Sequence, residues 1–289
     1  MTNARLWYQG ARPKTLGAAI SPVLVGTAAG TLDGPINWWR AAAAAAVALS
    51  LQVGVNYSND YSDGVRGTDA ERRGPVRLTA TGLATPRAVR NAAIIAFAFA
   101  AVVGGVLSLV VNPWLLLVGV AAIGAAVTYT GGPKPYGYIG LGEVMVLVFF
   151  GFVATLGSAY VQHATLPGVT WVAALACGLP ACGILLANNV RDVDTDRVTG
   201  KRTVAVRIGA PRARGLYVAC IAGSIVAVVA CGAFVPTALL AVLALPFSIA
   251  PVQAMLTRHD PPGLIAALVG TVRFQLVLCA LLAIGLWAG

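Results

Sequence analysis

Charged residues are scarce in this sequence. Only 10% of its 289 residues are Asp, Glu, Lys or Arg and 58% are hydrophobic, whereas a soluble domain carries about 25% charged residues. So few charges cannot cover the water-exposed surface of a chain this long, and the mean hydropathy of +0.81 indicates helices that are apolar on all faces. A water-soluble fold is therefore excluded, and the composition predicts an all-α, multi-pass membrane protein.

Cysteine is also infrequent. The chain has five cysteines, all inside apolar stretches and none in a Cys-x-x-Cys pair. This usage excludes a disulfide framework and a cysteine-based metal site, and it indicates small buried hydrophobic side chains. The five residues are Cys177, Cys182, Cys220, Cys231 and Cys279.

Long apolar runs are abundant, and each is bounded by polar or Pro/Gly-rich breaks. A hydrocarbon core about 30 Å thick needs roughly 20 residues per helix, so the runs predict nine membrane-spanning helices. They lie at 16–32, 41–57, 91–111, 114–130, 143–161, 169–190, 215–234, 237–256 and 264–287. Pro113 ends the third run and creates a tight hairpin. The first run is either an uncleaved helix, as we expect because eight spans follow it, or a cleaved signal peptide.

Positive charges are unevenly distributed between the two sides defined by these spans. All 20 Lys and Arg residues except Arg40 and Arg273 lie on the side of the N-terminus or at the helix ends that face it. Cytoplasmic loops carry this kind of excess, so the N-terminus is predicted to be cytoplasmic and the protein to lie in the cell membrane. The net charge of +10 then reflects membrane topology, and no nucleic-acid partner is expected.

The ten acidic residues are less expected on that side, because the positive-inside rule does not recruit them. All except Asp33 lie there, and most belong to two clusters at the ends of the second and sixth spans. Matching residues of the clusters are 132 positions apart, as Asp60 and Asp192 show. The chain is therefore predicted to be a single domain, 1–289. Its two four-helix halves are predicted at 1–134 and 135–258, followed by a ninth helix at 264–287.

Helical spacing groups the side chains of each cluster. Residues three or four apart share a helix face, so Asn56, Asp60 and Asp63 are predicted to point together, and the second cluster has similar spacing. Adjacent carboxylates repel unless a cation lies between them, and Mg²⁺ uses one or two carboxylates together with phosphate oxygens. The pattern predicts a diphosphate bound through Mg²⁺. The predicted metal ligands are Asp60, Asp63, Asp192 and Asp196, supported by Asn56 and Asn188.

Basic residues follow each cluster, among them Arg73 and Lys201. Cations near a diphosphate stabilise it as a leaving group, although topology and attraction to anionic lipid also explain such residues. Lys134 is the only cation in the third cytoplasmic loop, where two glycines and two prolines surround it. Three further acids are either ligands or solvated loop residues: Asp69, Glu71 and Asp194.

These motifs resemble the UbiA superfamily of intramembrane aromatic prenyltransferases, with Asn-Asp-x-x-Asp after the second helix and Asp-x-x-x-Asp after the sixth. Here they read Asn59-Asp60-Tyr-Ser-Asp63 and Asp192-Val-Asp-Thr-Asp196. In much of the superfamily another Asp follows the first motif after three intervening residues, at the position where this chain has Gly67. Four segments resemble more specifically the branch that prenylates 1,4-dihydroxy-2-naphthoate; they are residues 10–16, 59–75, 129–143 and 187–192.

The resemblance implies a nine-helix fold around a central cavity, with both motifs over its cytoplasmic mouth. It implies a Mg²⁺-dependent condensation of polyprenyl diphosphate with 1,4-dihydroxy-2-naphthoate, which releases diphosphate and CO₂ and gives demethylmenaquinone. Lys134 would contact the diphosphate, and Tyr129 would face the allylic cation or anchor the chain at the membrane interface. The carboxylate or the diphosphate would be bound by Arg12, Lys14 or Arg191. The polyprenyl tail requires a lateral opening into the lipid bilayer.

Other activities stay open at this level. Within the same fold, 4-hydroxybenzoate prenyltransferase and haem O synthase are the alternatives. A secondary transporter is the alternative from another class, because repeated halves with polar residues at helix ends are also typical of transporters. Transporter sites lie near the bilayer midplane, whereas these clusters lie at one face, which favours the enzyme. Arg273, inside the ninth span, is either a functional charge or a packing residue.

Overall fold

A computed structural model describes residues 3–68 and 76–289. Within these ranges the chain is helical, with no strand, so the all-α prediction is confirmed. The first five α-helices are α1 (Asn3–Gly10), α2 (Gly17–Gly30), α3 (Trp38–Arg66), α4 (Pro86–Val111) and α5 (Leu115–Thr128). The next five are α6 (Gly142–Val146), α7 (Ala154–His163), α8 (Val169–Arg191), α9 (Val193–Val198) and α10 (Val204–Ile208). The last three are α11 (Ala210–Gly232), α12 (Pro246–Thr257) and α13 (Pro261–Trp287).

Local sequence signals set several helix ends. The side chains of Asn37 and Thr85 accept hydrogen bonds from backbone amides in the first turns of α3 and α4, and Asp260 does the same for α13. Each side chain satisfies an amide that has no partner inside its own helix. Gly67 ends α3 with a φ of 73°, a left-handed conformation that glycine adopts without strain. α3 therefore continues well beyond the predicted end of its span at residue 57 and contains the whole first motif.

The long helices are membrane-spanning in length and composition. Within the described ranges six helices are long and apolar enough to cross a bilayer, or up to eight when each of two bent helix pairs is one span. In addition, α5 is apolar but has only 14 residues, roughly 21 Å at 1.5 Å per residue. The chain is a multi-pass membrane protein whose helices coincide with the predicted spans, but the count of nine is not confirmed, since α5 is shorter than a bilayer core.

The centre of the bundle is α8, which is the most deeply buried of the long helices. It packs against α11 and α13 on one side and against the Gly142–His163 segment on the other. That segment joins α6 to α7 through a π-helix, Leu147–Val153. Close approach depends on small residues, because a Cβ atom on Gly178 would lie 2.7 Å from the Cα atom of Gly151. Small residues at such contacts are how membrane helices gain packing.

Candidate active site

A cavity of about 480 Å³ opens between the helices of the first half and α8. Its polar lining comes from the C-terminal ends of α3 and α8 and from the loops that follow α5 and α9. Its remaining lining is mostly apolar and comes from α2, from the N-terminal half of α3, from α4 and α5, from Gly142–His163 and from α8. One space therefore joins a charged region to a long apolar wall.

The α3 side of the cavity is a stripe at helical spacing. Asn56, Asn59 and Asp63 line it at intervals of three and four residues, as expected for one helix face. Asn59 Oδ1 accepts a 2.8 Å hydrogen bond from Thr130 Oγ1, and Asn56 Nδ2 donates to the carbonyl of Ala11 at 2.9 Å. The first motif is thus tied both to the N-terminal segment and to the loop after α5.

Asp60 is held by a different set of contacts. Its two carboxylate oxygens accept backbone hydrogen bonds from Leu78 (2.7 Å) and Thr79 (2.8 Å), and it is buried outside the set of described residues that line the cavity. Asp60 thus makes contacts different from those of Asp63, and its role as a metal ligand stays a prediction. These contacts form because residues 78 and 79 pack against α3, where their backbone amides need acceptors.

Asp63 contacts residues that precede and follow the second motif as well as one that follows its own. Oδ1 accepts a 2.6 Å hydrogen bond from the Tyr138 hydroxyl and lies 3.3 Å from Lys201 Nζ. Oδ2 lies 3.9 Å from Arg77 Nη2. Lys201 follows the second motif, and its backbone amide donates to the Asp196 carbonyl at 2.8 Å. The structure therefore brings the motifs predicted from the sequence to one site, where Lys201 links the Asp63 carboxylate to the backbone of the second motif.

Tyr138 holds this arrangement through both its hydroxyl and its ring. Lys201 Nζ lies 4.7 Å from the ring centroid and the Arg66 guanidinium 5.4 Å from it, within the range of cation–π attraction. Burial, followed by the Asp63 charge and its hydrogen bond, raises the pKa of Tyr138 above its ordinary value. The hydroxyl therefore stays protonated and donates to Asp63 over the physiological pH range.

The second motif is organised by Arg191. Its Nε and Nη2 atoms donate to both oxygens of Asp192 at 2.7 Å, and Nη2 also donates to Asn188 Oδ1 at 2.6 Å. The Arg191 side chain is only 2% exposed and Arg191 is not among the described residues that line the cavity, whereas Asn188 and Asp192 are. Arg191 thus fixes the two cavity-lining residues from behind, a geometry that suits a bidentate guanidinium.

The site has the donor chemistry that Mg²⁺ requires. Carboxylates of Asp63, Asp192 and Asp196 and the amide side chains of both motifs line the same cavity, and hard oxygen donors are the ligands of this ion. No three His, Cys, Asp or Glu side chains within residues 3–68 and 76–289 are grouped closely enough to hold a metal by themselves. The residues therefore fit an ion that takes one or two carboxylates and completes its shell with substrate phosphate oxygens.

Other predicted residues divide between the cavity and its surroundings. Arg12 lines the cavity in a left-handed conformation with a φ of 54°, which is uncommon outside glycine and typical of functional positions. Tyr129 also lines it, and its ring lies 5.4 Å from that of Tyr136. Lys134 and Lys14 are exposed and lie outside the cavity lining, and the contact of either with the diphosphate stays a prediction.

The turn geometry explains the exposure of Lys134. Gly132 adopts a φ of 77°, so the chain reverses before the lysine and turns it outward. The aromatic residues that follow then enter the cavity in its place. Arg73, predicted as a diphosphate contact, lies outside the described residues, as do Asp69 and Glu71.

Sequence reasoning gave no role to two site residues, Thr130 and Tyr138. Asn59 belongs to the first motif and Arg77 to the basic residues that follow it, and both line the cavity. No sequence signal marks Thr130 or Tyr138, because both reach the site through a loop whose fold only the structure reveals. The fold and the site together define a helical membrane enzyme with a metal-compatible polar end and an apolar cavity.

The comparisons with known proteins place the chain within a family. The model of the UbiA prenyltransferase family matches residues 19–278, so the chain belongs to this family and is a prenyltransferase. A relative from Mycobacterium tuberculosis named 1,4-dihydroxy-2-naphthoate octaprenyltransferase is 51% identical over 75% of this chain and 74% of its own length. The Escherichia coli protein of the same name is 35% identical over 99% of this chain and 96% of its own length.

Solved structures support the same fold. A UbiA homolog from Archaeoglobus fulgidus bound to DMAPP and Mg²⁺ superposes with a TM-score of 0.67 at 14% identity, over 96% of this chain and 99% of that chain. The apo structure of a UbiA homolog from Aeropyrum pernix K1 gives a TM-score of 0.66 at 17% identity, over 93% and 96% of the two chains. The UbiA resemblance stated from the motifs is therefore confirmed.

Proposed function

We propose that this protein transfers a polyprenyl group from polyprenyl diphosphate to 1,4-dihydroxy-2-naphthoate, with loss of diphosphate and CO₂. The product is demethylmenaquinone at the quinol oxidation level. The observation that carries the proposal is the single cavity in which two aspartate motifs and basic side chains adjoin a long apolar wall. The names of the bacterial relatives support the choice of aromatic acceptor.

The polar end binds the diphosphate in this proposal. One or two of the carboxylates of Asp63, Asp192 and Asp196, together with phosphate oxygens, would hold Mg²⁺, which when bound neutralises phosphate charge and assists departure of the leaving group. Arg77 and Lys201, which line the cavity, oppose the remaining negative charge of the diphosphate. Asp60 and Arg191 support these residues from outside the cavity. Asp60 holds the backbone that follows Arg77, and Arg191 holds the side chains of Asn188 and Asp192.

The apolar wall binds the isoprenoid and excludes water from the reacting carbon. The allylic C–O bond breaks and diphosphate leaves with the electron pair, so the carbon that remains must be shielded from hydrolysis. Aromatic rings at the cavity, with Tyr129 as the candidate from the sequence, attract the developing cation. The electron-rich ring then forms the new C–C bond, and CO₂ departs and returns its bonding electrons to the ring.

The membrane setting belongs to the same proposal. We place the N-terminus and the polar mouth on the cytoplasmic face of the cell membrane, because almost all Lys and Arg residues lie on that side of the predicted topology. The polyprenyl tail would leave the apolar wall through a lateral opening into lipid.

An acceptor panel tests the proposal. Purified protein in lipid nanodiscs would receive one polyprenyl diphosphate, Mg²⁺, and in turn 1,4-dihydroxy-2-naphthoate, 4-hydroxybenzoate or haem B. We expect prenylated product and released CO₂ only with the naphthoate, loss of product on addition of EDTA, and recovery on addition of Mg²⁺. Product from 4-hydroxybenzoate or haem B without product from the naphthoate would contradict the proposed acceptor, and product unaffected by EDTA would contradict the metal.

A further inference from the structure

Glu143 is a buried carboxylate that the proposed mechanism does not use. It lies in the first turn of α6 and is 9% exposed. Oε1 accepts a 2.9 Å hydrogen bond from Asn189 Nδ2. Oε2 is buried and has no hydrogen-bond partner among the described residues. A buried carboxylate with a single side-chain partner is destabilising in an apolar helix bundle. Because Glu143 does not stabilise the fold in this position, we expect it to have a role in the adjacent cavity.

The partner of Glu143 faces the substrate space. Asn189 lines the cavity directly after Asn188, whereas Glu143 is not among the described residues that line it. The helices that carry the two residues, α6 and α8, are also joined at this level, because Cys182 Sγ in α8 donates to the Glu143 carbonyl at 3.3 Å. The position is also next to the aromatic candidate from the sequence, since a Cβ atom on Gly142 would lie 3.6 Å from Tyr129 Cε2.

The carboxylate determines which end of the Asn189 amide points into the cavity. In the structure the Nδ2 end faces Glu143 and donates to Oε1, because a carboxylate oxygen is a hydrogen-bond acceptor. The carbonyl oxygen Oδ1 occupies the other end of the planar amide and makes no hydrogen bond to any described residue. Asn189 therefore presents a fixed acceptor, and not a donor, to whatever occupies this part of the cavity.

We propose that Glu143 is a positioning residue that holds Asn189 so that Asn189 Oδ1 accepts a hydrogen bond from a hydroxyl group of the aromatic acceptor. This inference rests on the proposed function. Diphosphate and carboxylate oxygens are acceptors and the isoprenoid chain has no O–H group, so of the two substrates only the aromatic one carries the complementary donor. A hydrogen bond accepted from the hydroxyl also increases electron density on the ring that attacks the allylic carbon.

The test separates acceptor binding from donor binding. In Glu143→Leu the anchor is lost, and we expect KM for 1,4-dihydroxy-2-naphthoate to rise about tenfold while KM for polyprenyl diphosphate and the half-activating Mg²⁺ concentration stay within about twofold. Glu143→Gln keeps an oxygen that can accept from Asn189 Nδ2, so its acceptor KM should return to within about twofold of wild type. Equal increases in both KM values, or no rescue by Gln, would overturn the proposal.

A coupled variant and a substrate analogue complete the test. Asn189→Leu should raise the acceptor KM as Glu143→Leu does, and the double Leu variant should be no worse than either alone, because the two residues act as one unit. Naphthoates that lack one hydroxyl would be measured as competitive inhibitors. The analogue that lacks the recognised hydroxyl should inhibit wild type and Glu143→Leu equally, and additive effects in the double variant would contradict the coupling.

The design distinguishes the two levels of the proposal. A wild-type protein that prenylates no naphthoate would contradict the proposed function. A wild-type protein that does so while Glu143→Leu and Asn189→Leu keep the wild-type acceptor KM would contradict only the role of this pair. Binding of Mn²⁺ with inorganic diphosphate to each variant shows that its polar site is folded. If either single variant is unstable, the double Leu variant is measured in its place, because it contains neither the buried carboxylate nor its amide partner.

Discussion

The Tyr138 hydroxyl donates a 2.6 Å hydrogen bond to Asp63 Oδ1, and this contact joins the loop after α5 to the first aspartate motif. Lys201 lies close to the same Asp63 oxygen and to the ring of Tyr138. The Tyr138 side chain therefore positions both Asp63, a candidate metal ligand, and Lys201, a cation that follows the second motif. The geometry of the site therefore depends on a residue that belongs to neither motif.

Removal of this hydroxyl should impair catalysis as well as stability. A hydrogen bond to a charged group contributes about 1.5–3 kcal/mol, so Tyr138→Phe is expected to lower kcat/KM about tenfold or more in the prenyl-transfer assay. Tyr160→Phe is the matched control, because it also removes a hydroxyl that is hydrogen-bonded to a side chain. The Tyr160 hydroxyl accepts a 2.8 Å hydrogen bond from Asn112 Nδ2, and Tyr160 is not among the described residues that line the cavity. Equal activity losses in the two variants would contradict a specific role for Tyr138.

The same residue predicts a pH dependence of stability. Burial and Asp63 raise the pKa of Tyr138 above its ordinary value of 10.0, so the folded state keeps a proton that the unfolded state releases. The contribution is complete below about pH 10 and is lost as the pH rises through the folded-state pKa. The difference in unfolding free energy between wild type and Tyr138→Phe should be constant from pH 7 to 9 and narrow above about pH 10. Burial raises the pKa of Tyr136 to about 12, but that residue titrates alike in both proteins.

The two aspartates of the first motif should respond differently to the same substitution. Asp63→Asn removes a cavity carboxylate and should raise the half-activating Mg²⁺ concentration at least tenfold. Asp60→Asn leaves a backbone amide of Leu78 or Thr79 without an acceptor, so it should lower the free energy of unfolding by about 1–3 kcal/mol. Its half-activating Mg²⁺ concentration should stay within about twofold of wild type. If Asp60→Asn raises that concentration as much as Asp63→Asn does, Asp60 is a metal ligand after all.

Arg191 offers a test of the second motif. Arg191→Met would leave the buried carboxylate of Asp192 without its bidentate partner, and loss of one member of a buried pair costs about 3–5 kcal/mol. Thermal unfolding in detergent should show a destabilised protein, partly restored in the double variant with Asp192→Asn. The exposed Arg197 is the matched control, and Arg197→Met should unfold like wild type. A stable, active Arg191→Met variant would show that Asp192 does not need this anchor.

The membrane class, the helical fold and the place of the site could all be predicted from the sequence. Apolar runs must become helices in a bilayer, because no other open structure satisfies the backbone there. Two motifs at the ends of separate spans, Asn59 to Asp63 and Asp192 to Asp196, could be assigned to one face by counting spans. Such inferences need only local composition and the parity of membrane crossings.

The tertiary structure alone decided which of these residues face the cavity. Asp60 and Asp63 are both acids on the same helix. The backbone amides of Leu78 and Thr79, which pack against α3, donate hydrogen bonds to Asp60. Lys134 is the only cation of its loop, yet it is exposed after the turn at Gly132. Tyr138 from the same loop lines the cavity. Amino-acid type and helical spacing determined where the site lies, but contacts between segments distant in sequence determined which atoms it presents, because such contacts exist only after the chain has folded.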